Sequence, residues 1–264
     1  MQDRYETLKI ETPAEHVLLA TLNRPEARNA MNTQMGRDLL ELFGGLAADP
    51  GPCRVVVLTG AGDKAFCAGG DLKERRGMSD EAWQAQHAIF ERMMLALIDC
   101  PVPVIAAVNG AAFGGGTELV GAVDFAYAAT NARFALTEVT LGIMPGAAGT
   151  QTLPRVVGPR RAREIIFTGQ PFSAAEAHAW GLINKVSEPA ELLPETLATA
   201  ARIAANAPLS IRQAKKSIHH GLQMDLRTAM FFEIEAYNRL VPTEDRREGV
   251  SAFNEKRKPN FRGR

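Results

Sequence analysis

Short apolar runs alternate with helical patterns along the first part of the chain, and this alternation restricts the fold more than any other feature of the sequence. Each run is rich in β-branched or other apolar residues, as is typical of a buried strand. The four strands predicted in this way are His16–Asn23, Arg54–Gly60, Pro103–Gly110 and Asp124–Thr130. Helices are predicted over Asn32–Ala48 and Ser79–Ile98, which begin with capping residues. Strands that alternate with helices require crossover connections, so we predict an α/β fold with a mostly parallel core.

The carboxy-terminal third has a different pattern. From Pro159 onward, helical segments separated by Gly and Pro dominate, and only Leu182–Val186 is interpreted as a short strand. We therefore predict a core over residues 1–200 and a helical region over residues 201–264.

The overall charge gives no general attraction to nucleic acid or to a membrane surface, because 30 Lys and Arg balance 30 Asp and Glu. Cys53, Cys67 and Cys100 show no paired spacing, which favours a reducing compartment. No apolar run approaches the ~18 residues of a membrane span, and the first residues lack a signal-peptide core. We expect a cytoplasmic location, or an organelle matrix if a presequence has been removed.

Two glycine-rich turns each lead from a predicted strand toward a helix. Gly114, Gly115 and Gly116 precede a helix predicted to begin near Thr117, and "AGDKAFCAGGDLKE" precedes one that begins near Asp71. Backbone amides at such turns can bind an oxyanion, and glycine removes the Cβ that would block its approach. The alternative is a tight turn that serves packing only. The spacing does not match a dinucleotide fingerprint.

If both turns offer one amide each to the same point, they form an oxyanion hole with two donors. The turns lack a Ser or Cys nucleophile in an elbow motif, and no histidine lies near them in sequence. We interpret the five histidines as surface or packing residues: His16, His87, His178, His219 and His220. The predicted oxyanion is therefore a thioester enolate rather than an acyl-enzyme intermediate.

Two glutamates can supply the proton transfers that an enolate requires. Glu118 follows the glycines directly, and Glu138 interrupts the apolar stretch "FALTEVTLGIMPG". A lone glutamate in such a run is usually an exposed residue of an element's surface. Confinement of both would raise the pKa of one carboxyl group while the other stays ionised, giving a general acid and a general base around one water.

The chain resembles the crotonase, or enoyl-CoA hydratase/isomerase, superfamily over nearly its full length. The resemblance rests on "NRPEARNAM", "VVVLTGAGDKAFCAGGDLKE", "PVIAAVNGAAFGGGTELVGAVDF", "FALTEVTLGIMPGAAGTQTLPRVVG", "FTGQPFSAAEAHAWGLINKV" and "EGVSAFNEKRKP". It implies a ββα spiral core, a helical trimerisation region, and assembly as a homotrimer or a dimer of trimers. It also places the oxyanion hole on the amides of Gly70 and Gly115, and hydratase catalysis on Glu118 and Glu138.

The activity implied by this resemblance is syn addition of water to a trans-2-enoyl-CoA, which gives a 3-hydroxyacyl-CoA. Coenzyme A is carried by the substrate, so we expect no separate cofactor and no metal. The residues expected to contact it are Arg28, Ala68, Lys73, Phe253 and Lys256, the last two reaching an adjacent subunit. For each cation, an ordinary solvated side chain is the alternative.

Four positions depart from the commonest pattern of the superfamily. Gly70 stands where alanine is frequent, Thr117 where cysteine is, Thr137 where proline often precedes the second glutamate, and Thr152 where arginine often follows "GTQ". None of these changes removes a catalytic group. They leave the shape of the acyl pocket open.

Three other functions remain as alternatives. The segments "CAGGDLKERRGMS" and "DLRTAMFFEIEAYNRLVPTEDRREGVSAFNEKRKP" look most similar to methylglutaconyl-CoA hydratases, whose substrate has a second carboxylate that Arg75 or Arg76 could meet. Isomerases of the superfamily commonly keep only the second glutamate. Some relatives bind RNA through a lysine-rich helix, but "LLELFGGLAADPGPCRVVV" has no lysine, which disfavours that function.

Overall fold

A computed structural model describes residues 4–264, which form ten strands and eleven α-helices. The strands are β1 (Leu8–Ala14), β2 (Val17–Leu22), β3 (Val55–Gly60), β4 (Ala65–Cys67), β5 (Val104–Val108), β6 (Ala111–Phe113), β7 (Phe125–Ala129), β8 (Arg133–Ala135), β9 (Phe172–Ser173) and β10 (Lys185–Ser187).

The helices alternate with strands over most of the chain, and the segment after β10 is purely helical. They are α1 (Thr33–Ala48), α2 (Leu72–Arg75), α3 (Asp80–Ile98), α4 (Gly115–Ala122), α5 (Gly149–Val157), α6 (Pro159–Thr168), α7 (Ala174–Ala179), α8 (Pro189–Ala204), α9 (Pro208–Gly221), α10 (Leu226–Asn238) and α11 (Glu244–Asn254). Single 3₁₀ turns cover Pro25–Ala27 and Glu138–Leu141. Among the described residues, no helix combines the length and apolar character needed to cross a membrane.

The larger sheet has six strands in the order β1-β2-β3-β5-β7-β10. Only β1 and β2 pair in the antiparallel direction, and the other neighbours are parallel. Alternate residues of β3 enter two apolar layers: Val55 and Val57 join the layer that includes Leu192 of α8, whereas Val56 and Leu58 join the main core. Burial on both faces explains why these strands are continuous apolar runs in the sequence.

A smaller sheet of four strands lies beside the larger one, in the order β4-β6-β8-β9. Consecutive segments of the chain repeat a strand-strand-helix unit. In three successive units, the first strand (β3, β5, β7) enters the larger sheet, and the second (β4, β6, β8) enters the smaller sheet. The strands β4, β6 and β8 pair in parallel, so the turns that follow them reach the same edge of the small sheet.

The sequence predicted the mostly parallel core and its four long strands, and both predictions are confirmed. Strand β1, which has seven residues, and the short strands β4, β6, β8 and β9 were not predicted. The short strand expected at Leu182–Val186 begins at Lys185. Strands of two or three residues offer too little periodicity to be recognised. The predicted division at residue 200 lies within α8, whose Ala200 and Ala204 belong to one apolar layer.

Candidate functional site

The two glycine turns and Glu138 lie at the same edge of the small sheet. Gly69 and Gly70 follow β4, Gly114 and Gly115 follow β6, and Glu138 follows β8. The expectation that both turns directly follow the long strands β3 and β5 is wrong, because β4 and β6 intervene. The long strands do pair with each other, and the short ones repeat that pairing one layer away.

The turns contact each other through their backbones. A Cβ built on Gly69 would lie 3.5 Å from the amide nitrogen of Gly115, and one built on Gly114 would lie 3.8 Å from Cα of Gly69. Gly115 is the first residue of α4, where an amide has no acceptor within the helix. Neither the Gly70 nor the Gly115 amide donates to any backbone or side-chain acceptor within residues 4–264. Two uncommitted N–H groups are thus brought close together.

The segment "NRPEARNAM" fixes the position of the Gly70 turn, a role that was not foreseen from the sequence. The amide of Met31 donates to the Gly69 carbonyl at 2.7 Å, and the amide of Asp71 donates to the Met31 carbonyl at 2.9 Å. The fully buried Asn29 donates to the Ala65 carbonyl at 2.9 Å. Buried polar groups need such partners, and here the partners determine where the turn lies.

Arg24 and Thr117 add further restraints on the same edge. Arg24 Nη1 lies 2.9 Å from Asp71 Oδ2, and Asp71 caps α2. The buried hydroxyl of Thr117 donates to the Ala112 carbonyl of β6 at 2.5 Å and lies 3.0 Å from the Ala135 carbonyl of β8. Thr117 therefore connects two strands of the small sheet, which gives a structural reason for threonine at this position.

Glu118 is buried in the first turns of α4, with 3% of its surface exposed. Its Oε1 accepts hydrogen bonds from the amides of Ala147 and Gly149, both at 2.8 Å. These amides belong to the start of α5, whose dipole also favours the ionised form. Burial outweighs them and raises the pKa of Glu118 to about 7. Near neutral pH the group can therefore both hold and release a proton.

Glu138 is half-buried and faces the Gly114 turn, since a Cβ built on Gly114 would lie 2.9 Å from Glu138 Oε1. Its Oε2 is buried and has no hydrogen-bond partner among the described residues. Burial raises the pKa of Glu138 above its usual value. The expectation that confinement raises only one of the two pKa values is wrong, because both carboxyl groups are withdrawn from water.

A cavity of about 400 Å³ joins these groups. Its lining includes both glycine turns and both glutamates, together with Ala68, Met31 and the apolar side chains of Leu72, Leu141, Ile143 and Met144. Arg75 and His87 line it as well. The interpretation of His87 as a surface or packing residue is therefore incomplete. Its ring, which projects from α3, lies beside Gly146 in the wall of the cavity.

The residues expected to contact coenzyme A are more dispersed. Ala68 lines the cavity and its amide donates to the Arg28 carbonyl at 3.1 Å, whereas Arg28 itself is not part of the lining. Lys73 is exposed on α2. Phe253 lies in the last turn of α11 with 85% of its surface exposed, and Lys256 lies just beyond the end of that helix. Neither lines this cavity within the chain.

Comparison with known proteins identifies the relatives of this chain. A family model described as "Enoyl-CoA hydratase/isomerase" matches residues 12–264. The chain is 40% identical to a crotonyl-CoA hydratase of Syntrophomonas wolfei, over 97% of this chain and 98% of the relative. It is 41% identical to a short-chain-enoyl-CoA hydratase of Clostridium acetobutylicum, over 92% of each. A crystal structure of an enoyl-CoA hydratase from Bacillus anthracis superposes with a TM-score of 0.96 at 42% identity, covering 98% of this chain and all of that one.

The raised pKa of Glu118 predicts a pH-dependent cost in stability. Its folded value of about 7 lies above the ordinary 4.5, so a stabilising contribution present below pH 4.5 is lost as the pH rises through 7. Glu118→Gln cannot ionise and keeps an acceptor for the two amides. Relative to wild type, its free energy of unfolding should rise by about 2 kcal/mol between pH 5 and pH 8. Urea unfolding at both pH values measures this difference, and a constant difference would contradict the burial argument.

The contact between Gly115 and Met31 predicts how Gly115→Ala behaves. A Cβ at Gly115 would overlap Cε of the buried Met31, which is the free end of a flexible side chain and can move, so the single variant should lose about 1 kcal/mol of stability or less. Met31→Val removes that overlap and should restore most of the loss in the double variant. If the methyl group also blocks the thioester, kcat/KM of the double variant should stay about tenfold or more below that of Met31→Val. Recovery of full activity would assign these glycines to the turn alone.

Proposed function

Because the chain belongs to the enoyl-CoA hydratase/isomerase family, we propose how its two carboxyl groups and two free amides divide the addition of water to a trans-2-enoyl-CoA. The protein is an enoyl-CoA hydratase, a hydro-lyase. The observation that carries the proposal is the position of Glu118 and Glu138 on either side of the Gly114–Gly115 turn, within one cavity.

The amides of Gly70 and Gly115 bind the thioester oxygen of the substrate. As water adds to the β-carbon, negative charge moves from the alkene onto this oxygen, and the two N–H groups stabilise it. Preorganised donors of this kind contribute about 3–4 kcal/mol each to transition-state stabilisation. The free amides support this role, since neither must break an existing hydrogen bond to accept the ligand.

The two glutamates exchange protons with the substrate. Glu118 takes a proton from the attacking water, and Glu138 gives a proton to the α-carbon, so the hydroxyl group and hydrogen add syn. One carboxyl group gains a proton while the other loses one, and the pair returns to its starting state by exchange with solvent. A pKa of about 7 suits Glu118 to this role, because a base works best when its pKa is near the working pH.

The assignment of the glutamates predicts the effect of removing either carboxyl group. Glu118→Gln and Glu138→Gln should each lower kcat for crotonyl-CoA hydration by at least ~100-fold, because each removes one proton transfer. Glu15→Gln, at an exposed position, is the matched control and should leave kcat unchanged. Circular dichroism and sedimentation verify that fold and assembly survive. Near-normal turnover in both variants would refute the assignment, whereas α-proton exchange can persist in one of them because the transfers are separate steps.

The coenzyme A contacts are proposed from the resemblance. Ala68 lines the cavity, its amide donates to the Arg28 carbonyl, and Lys73 is exposed on α2. Phe253 and Lys256 would have to come from an adjacent subunit, since they do not line the cavity of their own chain. The enzyme then needs no cofactor beyond the coenzyme A attached to its substrate.

The helical end of the chain supports assembly as a homotrimer or a dimer of trimers. Large apolar side chains recur every three or four residues on α10 and remain exposed in the single chain: Leu226, Met230, Ile234 and Tyr237. Phe231, Ile218 of α9 and Leu222 just after α9 are exposed as well. A stripe of this kind usually marks an interface between subunits.

The apolar stripe predicts the effect of charges placed on it. Sedimentation equilibrium should give three or six chains for the wild type, and Met230→Lys with Ile234→Lys should shift the protein toward monomers. Leu95→Lys, at an exposed apolar position on α3, is the control and should leave the assembly unchanged. A monomeric wild type would rule out the trimer.

A further inference from the structure

Arg75 is held in the cavity by a hydrogen-bond network centred on the buried side chain of Gln86. Its Nε donates to Gln86 Oε1 at 2.8 Å, and Gln86 is 3% exposed. Gln86 Nε2 donates in turn to Thr33 Oγ1 at 2.8 Å and to Glu74 Oε2 at 2.7 Å. A buried amide with this many partners has one orientation, so it fixes the guanidinium that it binds.

Aromatic packing fixes the same side chain from another side. The guanidinium carbon of Arg75 lies 4.4 Å from the ring centroid of Trp83 and 5.7 Å from that of Phe90. A Cβ built on Gly70 would lie 3.1 Å from Arg75 Nη1, so the guanidinium packs closely against this glycine. The fork formed by Nη1 and Nη2 makes no hydrogen bond or ion pair within residues 4–264, although Arg75 is half-buried.

Acidic and basic side chains both line the cavity. The acidic side chains are Glu118 and Glu138, and the basic side chains are Arg75 and His87. His87 Nδ1 is already paired with Glu91 at 2.7 Å. Burial lowers the pKa of Arg75, whereas the negative charges of Glu74 and Glu118 oppose this effect. Neither Nη1 nor Nη2 is fully buried, so a ligand in the cavity can reach the fork and complete its hydrogen bonds.

We propose that Arg75 binds a second carboxylate at the far end of the acyl group, so the preferred substrate is a trans-2-enoyl-CoA with a carboxylate a few carbons beyond its double bond. The proposal rests on the hydratase function given above. A free guanidinium fork matches a carboxylate in a bidentate manner. Without it, the two catalytic glutamates would repel an anionic acyl group from the cavity. The neighbouring Arg76 is exposed and does not line the cavity, so the role belongs to Arg75.

Two substrates of nearly equal shape test this assignment. Glutaconyl-CoA has a carboxylate where 5-methyl-2-hexenoyl-CoA has an isopropyl group, so the ratio of their kcat/KM values isolates the charge. Wild type should favour glutaconyl-CoA, and Arg75→Met should lower the ratio by about 10- to 100-fold, the range for loss of a charged hydrogen bond. Arg75→Lys should retain part of the preference, because it keeps the charge but not the fork. Arg76→Met is the matched control and should leave the ratio unchanged.

Each ratio comes from one preparation, so a lower folded fraction in a variant cancels. An unchanged ratio in Arg75→Met, or equal loss on both substrates, would overturn the proposal and leave Arg75 as a packing residue or as a charge that acts on Glu118.

The saturated pair glutaryl-CoA and 5-methylhexanoyl-CoA separates binding from hydration. If wild type hydrates neither enoyl-CoA but binds glutaryl-CoA in a manner that requires Arg75, the hydratase function fails and the carboxylate site stands. If wild type hydrates both without preference, the carboxylate site fails alone.

Discussion

The parallel pairing of β4, β6 and β8 is the interaction on which the site depends. Each strand has only three residues, yet together they bring a glycine turn, a second glycine turn and a glutamate to one edge. So few ladder hydrogen bonds cannot fix a register alone. The register is inherited from β3, β5 and β7 in the larger sheet and reinforced by the side chains of Asn29 and Thr117. The larger sheet is thus the scaffold, and the turns that follow the strands of the smaller sheet form the candidate site.

The sequence was sufficient for the parts of the fold that have strong local patterns. Buried parallel strands such as β3 and β5 are long enough to be recognised, and Asn32 and Ser79 do cap their helices as predicted. The short strands could not be predicted from the sequence, because their positions are set by pairing with distant segments. Because β4 and β6 were not predicted, the glycine turns were assigned to the ends of β3 and β5. The prediction that the two turns lie close together holds, since β4 and β6 also pair with each other.

The residues of the candidate site were likewise predictable only where a local pattern exists. Glu118 and Glu138 could be selected because each is a charged residue within an apolar stretch of the sequence. No comparable signal exists for the orientation of Arg75, because "KERR" is equally compatible with an exposed helix. Arg75 is distinguished from Arg76 by its contacts with Gln86, Trp83 and Phe90 on α3. Likewise, the partner amides of Glu118 come from Ala147 and Gly149, about thirty residues away, through a pairing that no local pattern encodes.

The close approach of Gly70 to Arg75 makes these two positions one steric unit. A methyl group at position 70 would lie 3.1 Å from Arg75 Nη1, so alanine there would require the guanidinium to shift by a few tenths of an ångström. In terms of mutational paths, the effect of a substitution at one of the two positions therefore depends on the residue at the other. Substitutions at Gly70 and Arg75 are expected to be epistatic.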